Sequence, residues 1–237
     1  MPNAPASRVS LEQALAPHGL RVLGGLVPDA ADALPMLPGG RTAEVIWMVG
    51  QVGSECWSAF SASPFSSDGQ PNPMDRWSKS IGERLAQQSG GLALYPSDGP
   101  PFYPFQQWAK RAGPVQTSPL MLQIHPEFGL WHAYRFAWAL PDLLADDARA
   151  ITSGGALARP DICLHCDGQP CLSACPVDAF TGVAYAVDRC SGHLHGPDGN
   201  TCMPVGCQAR HACPVGADNR YIPDHAAFHM ASFASRH

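Results

Sequence analysis

The stretch CLHCDGQPCLSACP, residues 163–176, sets four cysteines within thirteen positions and places a proline directly behind the last. Read outward, the series is Cys163-x2-Cys166-x4-Cys171-x3-Cys175-Pro176, then Cys190-x11-Cys202-x4-Cys207-x5-Cys213-Pro214. Eight of the nine cysteines lie beyond residue 150, and Cys56 stands alone before it. Disulfides would require an oxidising compartment. The opening MPNAPASRVSLEQALAPHG has no basic segment followed by an apolar run, so no secretory signal is expected and the thiols are read as reduced and cytoplasmic. Nothing approaches about eighteen uninterrupted apolar residues, and no membrane span or membrane partner is expected.

Composition narrows the field further. A chain of 237 residues with 45% hydrophobic content can bury a core without covalent staples. Fifteen Lys and Arg stand against twenty Asp and Glu, and no basic run is longer than AKR at 109–111, which speaks against nucleic acid as a partner. Glycine and proline together make up about a fifth of the chain, well above the average of about 12%, and imply many ordered loops. The cysteines divide the chain into an N-terminal domain, 1–150, and a cysteine-rich domain, 151–237. DDARAITSGGALARPD, residues 146–161, reads as a linker between them because it lacks a sustained apolar period.

Four thiolates can hold zinc, but zinc ribbons usually present two separated C-x2-C pairs. Here three cysteines crowd one loop and a distant fourth precedes proline, twice. Eight thiolates is the number that two cubane iron–sulfur clusters require. In C-x3-C-P runs of the bacterial ferredoxin kind, the fourth cysteine ligates the other cluster. That rule assigns Cys163, Cys166, Cys171 and Cys213 to one 4Fe-4S cluster and Cys175, Cys190, Cys202 and Cys207 to a second. The spacings x4, x11, x4 and x5 depart from ferredoxin usage. The expansions DGQP (167–170) and SGHLHGPDGNT (191–201) carry Gly and Pro that let the chain bulge without losing a ligand. His165, His193, His195 and His211 lie among these loops and are assigned no metal. Cys56, near Trp57 and Phe60, is read as a buried small apolar residue.

The N-terminal half reads as mixed helix and strand. Ser10 followed by Gln13 predicts a capped helix ending at Gly19. EVIWMV, 44–49, predicts a strand buried on both faces. From Pro73, the spacing of Met74, Trp77, Ile81 and Leu85 predicts an amphipathic helix that stops at Gly90. LALY, 92–95, predicts a short strand after it. A loop at 99–105 is then expected to lead into a hairpin of LMLQIH (120–125) and LWHAYRFAWAL (130–140). On the latter, Leu130, His132, Tyr134, Phe136, Trp138 and Leu140 would fill a core. Trp131, Ala133, Arg135, Ala137 and Ala139 would leave a shallow face with one charge for an anionic group. The plain alternative is that the alanines receive a packed helix and Arg135 pairs with a carboxylate. At the C-terminus, 223–236 predicts a helix that starts at Pro223 and docks on the cysteine-rich domain.

Two stretches resemble known families. The cysteine series, with Asp188-Arg189-Cys190 upstream of the remaining second-group cysteines, is similar to the dicluster ferredoxin domain of epoxyqueuosine reductases and reductive dehalogenases. IHPEFGLWHAYRFAWALP, 124–141, resembles the I-H-P-x-F-G-x-W-x-A-x-R core of the cobalamin C type processing chaperones, and NPMDRWSKSIGERLA, 72–86, is a weaker match to the helix before it. The resemblance implies an α+β fold: a nitroreductase-like domain that binds cobalamin, followed by a loop-rich, ferredoxin-like domain with two 4Fe-4S clusters. It implicates His125, Phe128, Trp131 and Arg135 near the corrinoid or the partner that accepts its upper ligand, with a flavin as the open alternative for that pocket. The function implied is that of a corrinoid-linked oxidoreductase or cobalamin-processing enzyme, supplied with electrons by a donor protein or reductase. Its alternatives are a ferredoxin-type carrier with no substrate of its own and a reductase of an organic substrate.

Overall fold

The computed structural model describes residues 7–155, 161–197 and 201–236. The fold is mixed α and β, and the chain divides into two compact units, each assembled from separate segments. Unit 1 is Met1–Gln51, Glu55–Pro114 and Ala133–Ala158; unit 2 is Val52–Ser54, Val115–His132 and Arg159–His237. Where the sequence places one boundary near residue 150, the fold therefore groups Val115–His132 with the cysteines. The strands among the described residues are β1 (Arg21–Leu26), β2 (Val45–Val52), β3 (Leu92–Leu94), β4 (Gln116–Thr117), β5 (Gln123–Ile124) and β6 (His132–Leu140).

Unit 1 is built on a sheet of order β1-β2-β6-β3, with β1 antiparallel to β2 and β3 antiparallel to β6. All eight residues of β2 are buried, as its apolar run predicts for a central strand. The helices of this unit are α1 (Arg8–Leu15), α2 (Trp57–Ser61), α3 (Pro73–Ser89), α4 (Phe105–Ala112) and α5 (Ala145–Gly155). α3 follows its predicted course: Pro73 opens it, Met74, Trp77, Ile81 and Leu85 are buried, and Gly90 at φ 66° ends it in the left-handed region. It packs on the sheet through Trp138, whose Nε1 donates to Ser89 Oγ at 3.0 Å, and Tyr95, whose hydroxyl donates to the Lys79 carbonyl at 3.1 Å.

Other elements depart from the sequence expectation. α1 begins before Ser10, because Ser7 Oγ accepts the Ser10 N–H at 3.2 Å and is the true cap. β1, RVLGGL, carries two glycines that disguise it as a loop. A Cβ at Gly24 would collide with the Ala112 carbonyl of α4, and one at Gly25 with the Trp47 ring, so the glycines admit close neighbours. α4 follows directly on the aromatic loop and is anchored by a buried carboxylate: Trp108 Nε1 and Arg111 Nη1 donate to Asp32 Oδ1 at 2.7 and 2.6 Å. Burial alone would raise the Asp32 pKa, but these donors hold it below the usual carboxylate range.

The expected linker at 146–161 falls largely on α5, and its residues 156–160 lie outside the described residues. The expected hairpin does not form either. β5 pairs with β4, and of the predicted pairing only the bridge between His125 and Gly129 remains. β6 has no shallow face over its C-terminal half. Ala137 and Ala139 are as buried as Phe136 and Trp138, since the strand lies inside the sheet with packed matter on both sides. Cys56 is fully buried, and burial pushes its thiol up to about 11, in keeping with an inert small apolar residue.

Unit 2 holds α6 (Pro170–Ser173), α7 (Val187–His195), α8 (Gln208–His211) and α9 (Pro223–Ala234). One apolar cluster joins Leu120, Ile124 and Leu130 to Cys171, Cys175, Cys213, Ala179 and Ala209. Two turns cross backbone to backbone to make this possible. Gly129 at φ 58° abuts the Val215 carbonyl, and Gly216 at φ 66° abuts Phe128 and Gly129, so neither tolerates a Cβ. α9 packs against α7, and Tyr185 lies 6.2 Å from Phe233 between ring centroids, so the C-terminal helix docks in the cysteine-rich unit as predicted.

Phe136 is fully buried, with its ring 6.1 Å from that of Tyr95. Phe136→Ala should destabilise the protein by about 3–5 kcal/mol, as truncation of a large buried aromatic does. Chemical denaturation of the two proteins measures it, and a loss under about 1 kcal/mol would show that this position is not core.

Candidate metal centre

Eight of the nine cysteines, all but Cys56, fall into two groups of four. Cys163, Cys166, Cys171 and Cys213 line a single cavity with apolar walls, shared with Leu120, Ile124 and Leu130. Cys163 and Cys166 sit in a tight loop, where the Cys166 N–H donates to the Cys163 carbonyl and Gln169 Nε2 donates to the same oxygen at 3.0 Å. Gly168 and Gln169 take positive φ of 67° and 39°, which turns the chain sharply into α6 and brings Cys171 back to the loop. α6 packs on α8, and Cys213 follows α8. Burial, and after it the thiols of Cys213, Cys171 and Cys166, push the Cys163 thiol up to about 11.

The second group is Cys175, Cys190, Cys202 and Cys207. Cys190 is carried on α7 and Cys207 caps α8. Burial raises the Cys190 thiol, Tyr185 lowers it by a hydrogen bond, and Cys175 and Cys202 raise it again. Burial pushes Cys207 up to about 11, with Cys202 and Cys190 among the neighbours that add to this and the N–H groups of Arg210 and Ala209 opposing it. The Ala179 N–H donates to Cys175 Sγ at 3.3 Å. The first group has backbone donors too, from Val215 to Cys213 and from Leu172 to Cys171.

Both groups are thus sulfur-lined, at least half-buried and provided with N–H donors. A buried thiolate is unfavourable without a compensating cation, so these thiols would give up their protons only to a metal core that took the sulfurs. The donor set fits an iron–sulfur cluster in each group: four thiols, apolar walls, and N–H groups directed at sulfur. Among the described residues, no group of three or more His, Cys, Asp or Glu side chains could hold a metal ion as it stands. A lone zinc ion would draw its thiolates within about 4.6 Å of one another, twice the Zn–S length.

The four residues implicated by the cobalamin resemblance are divided. His125, Phe128 and Trp131 belong to unit 2 and Arg135 to unit 1. His125 stacks on Phe128 with centroids 4.2 Å apart, and its Nδ1 accepts the N–H groups of Glu127 and Phe128 at 3.1 and 3.2 Å. The neutral ring therefore carries its proton on Nε2. Trp131 is 1% exposed, enclosed by Tyr221 and His211 and covered by the Arg210 guanidinium 4.4 Å from its ring centroid. Arg210 is fixed in turn by donating to the Leu130 carbonyl at 2.6 Å. Arg135 Nε donates to Gln51 Oε1 at 2.7 Å, an amide partner where the sequence offered a carboxylate, and its buried Nη2 has no hydrogen-bond partner among the described residues.

Sequence reasoning passed over several groups in unit 2. The Tyr185 hydroxyl reaches Cys190 from five residues upstream, a spacing with no recognised signal. A polar chain runs through the fully buried His225, whose Nδ1 is 3.0 Å from Ser54 Oγ and whose Nε2 is 3.0 Å from His229 Nε2. The i, i+4 spacing of the two histidines on α9 could have announced their contact; Ser54, far upstream, could not. Among the described residues no helix is long and apolar enough to cross a membrane. No protein-family model matches this chain, and no curated protein matches it.

His132 gives unit 2 a pH dependence. Burial, then the nearby His125 and Arg210, push its pKa down from 6.5 to about 4, against the carbonyl of Gly129 that accepts from its ring. Between pH 6.5 and 4 the unfolded chain binds a proton that the folded chain refuses, so stability present above this window is lost as pH falls through it. At about 1.36 kcal/mol per unit, the loss amounts to roughly 3 kcal/mol. His132→Gln should flatten that part of the stability profile in denaturant titrations at a series of pH values; an unchanged slope would rule His132 out as its source.

Proposed function

We propose that this chain is an iron–sulfur redox protein that holds two 4Fe-4S clusters in a ferredoxin-like unit and serves electron transfer. The observation that carries this reading is the grouping of eight thiols into two sets of four, with Cys213 joining Cys163, Cys166 and Cys171 and with Cys175 joining the other set. This crossing is the ferredoxin pattern, in which the cysteine before proline serves the opposite cluster.

When bound, such clusters supply one-electron chemistry at potentials between about −700 and +450 mV, set by charge, hydrogen bonding and exposure. The chain's own part is to bind, to shield and to tune. Leu120, Ile124 and Leu130 keep water from the first group. N–H groups of Val215, Leu172, Ala179, Ala209 and Arg210, with the Tyr185 hydroxyl, donate to the sulfurs and ease the burden of negative charge.

A corrinoid as the acceptor of those electrons is the second reading, within a nitroreductase-like unit 1. It is favoured by Arg135, whose buried Nη2 lacks a protein partner and could receive a polar group of a ligand. Arg135→Ala should then weaken hydroxocobalamin binding roughly tenfold to a hundredfold, the worth of a charge-assisted contact of about 1.5–3 kcal/mol, with iron content unchanged. Unchanged affinity in a folded variant would leave the plain electron carrier.

The metal content tests the main reading. Protein reconstituted without oxygen should hold about eight iron and eight labile sulfide per chain. Cys213→Ala should lose the cluster of Cys163, Cys166 and Cys171, some forty residues away, and keep about four of each. Stoichiometric zinc without sulfide would overturn the proposal, and loss of the other cluster's paramagnetic signal in Cys213→Ala would overturn the pairing.

A further inference from the structure

Ser118 lines the cavity of Cys163, Cys166, Cys171 and Cys213. It is 4% exposed, and its hydroxyl has no hydrogen-bond partner among the described residues. Its backbone is fully committed: the Ser118 N–H donates to the Leu122 carbonyl at 2.8 Å, and its carbonyl accepts the Met121 N–H at 2.9 Å. Met121 takes a φ of 59° to close this turn, which strains a residue with a side chain and holds Ser118 in the cavity wall. A buried hydroxyl left unsatisfied costs about 1–3 kcal/mol and calls for an explanation. An alanine would fill the same space at no such cost.

The second thiol group provides the comparison. There the Tyr185 hydroxyl already reaches a sulfur, that of Cys190. The first group has backbone donors to Cys213 and Cys171, and among the described residues no side-chain hydroxyl is seen to engage its sulfurs, while Ser118 places a buried, unengaged hydroxyl in its wall.

We propose that Ser118 is a tuning residue for the cluster held by Cys163, Cys166, Cys171 and Cys213, donating its O–H to a sulfur of that site. The inference rests on the reading that these thiols hold an iron–sulfur cluster. A donor to sulfur stabilises the reduced state, which carries one more negative charge, and so raises the reduction potential. The proton stays on the Ser118 oxygen throughout, and only the strength of its bond to sulfur changes with the oxidation state.

The test is a redox titration followed by electron paramagnetic resonance, on the reconstituted full chain and on Ser118→Ala and Ser118→Thr. The signal of the first cluster is the one that Cys213→Ala abolishes. Removing the hydroxyl should lower the equilibrium constant for reducing that cluster about tenfold, a shift of 59 mV to more negative potential for one electron. The other cluster should keep its potential, and both should keep their iron and sulfide. Ser118→Thr, which retains the donor, should stay near the unsubstituted value. An unchanged potential in a fully loaded Ser118→Ala protein overturns the role of Ser118 and leaves the cluster reading intact. So does an equal shift of both clusters, or a loaded Ser118→Thr protein that behaves as Ser118→Ala does. Absence of iron and sulfide from the unsubstituted protein overturns both readings together.

Discussion

Burial of sulfur is the constraint on which unit 2 depends. Its main apolar cluster draws Leu120, Ile124 and Leu130 from the segment before β6, whereas the chain beyond residue 160 adds only Ala179, Ala209 and cysteines to the fully buried part. The thiols are therefore core residues as well as candidate ligands. As neutral thiols they pack like small hydrophobes. As thiolates they would be charges in a part-buried site, and burial accordingly pushes the Cys163 and Cys207 thiols up to about 11. In the proposed reading, positive charge from a metal core reconciles the two roles.

The same constraint explains the interleaving of the chain. A loop-rich segment of short helices such as α6 and α8 cannot bury itself, because four-residue helices present too little surface. Val115–His132 supplies the missing apolar wall, held by the crossing of Phe128–Gly129 with Val215–Gly216. Trp131 closes a further small cluster with Tyr221 and Ala226, and Arg210 lies across both aromatic rings at 4.4 Å from each centroid. Contacts of that kind are worth up to about 2 kcal/mol when desolvated, so they anchor the segment that precedes Cys213 as well as α9.

Unit 1 follows a different logic. Its sheet is buried on both faces at β2 and along the second half of β6, and small residues serve there as receivers of large neighbours. Gly25 accepts the Trp47 ring, and Ala137 and Ala139 are wholly enclosed. Arg135 is half-buried beside the amide of Gln51, and its buried Nη2 has no hydrogen-bond partner among the described residues.

What the sequence determined by itself was what local chemistry and spacing can encode. Pro73 and Gly90 bound α3 because proline and a left-handed glycine mark helix ends whatever surrounds them. β2 was legible because an unbroken apolar run has few other uses. The eight-cysteine series with proline after Cys175 and Cys213 was legible as spacing, and the proposed crossed ligation starts from it. The tertiary structure alone decided the rest. β1 was hidden because its glycines answer to Ala112 and Trp47, which are distant in sequence. The hairpin expected from alternation at 130–140 gave way because β6 finds its partners in β2 and β3, so strand pairing obeyed the sheet and not the nearest turn. Ser118, Tyr185 and Ser54 carry no motif, and their meaning comes only from what lies within hydrogen-bond reach once the chain has folded. Local propensity is written along the chain, but burial and polar satisfaction are properties of neighbours in space.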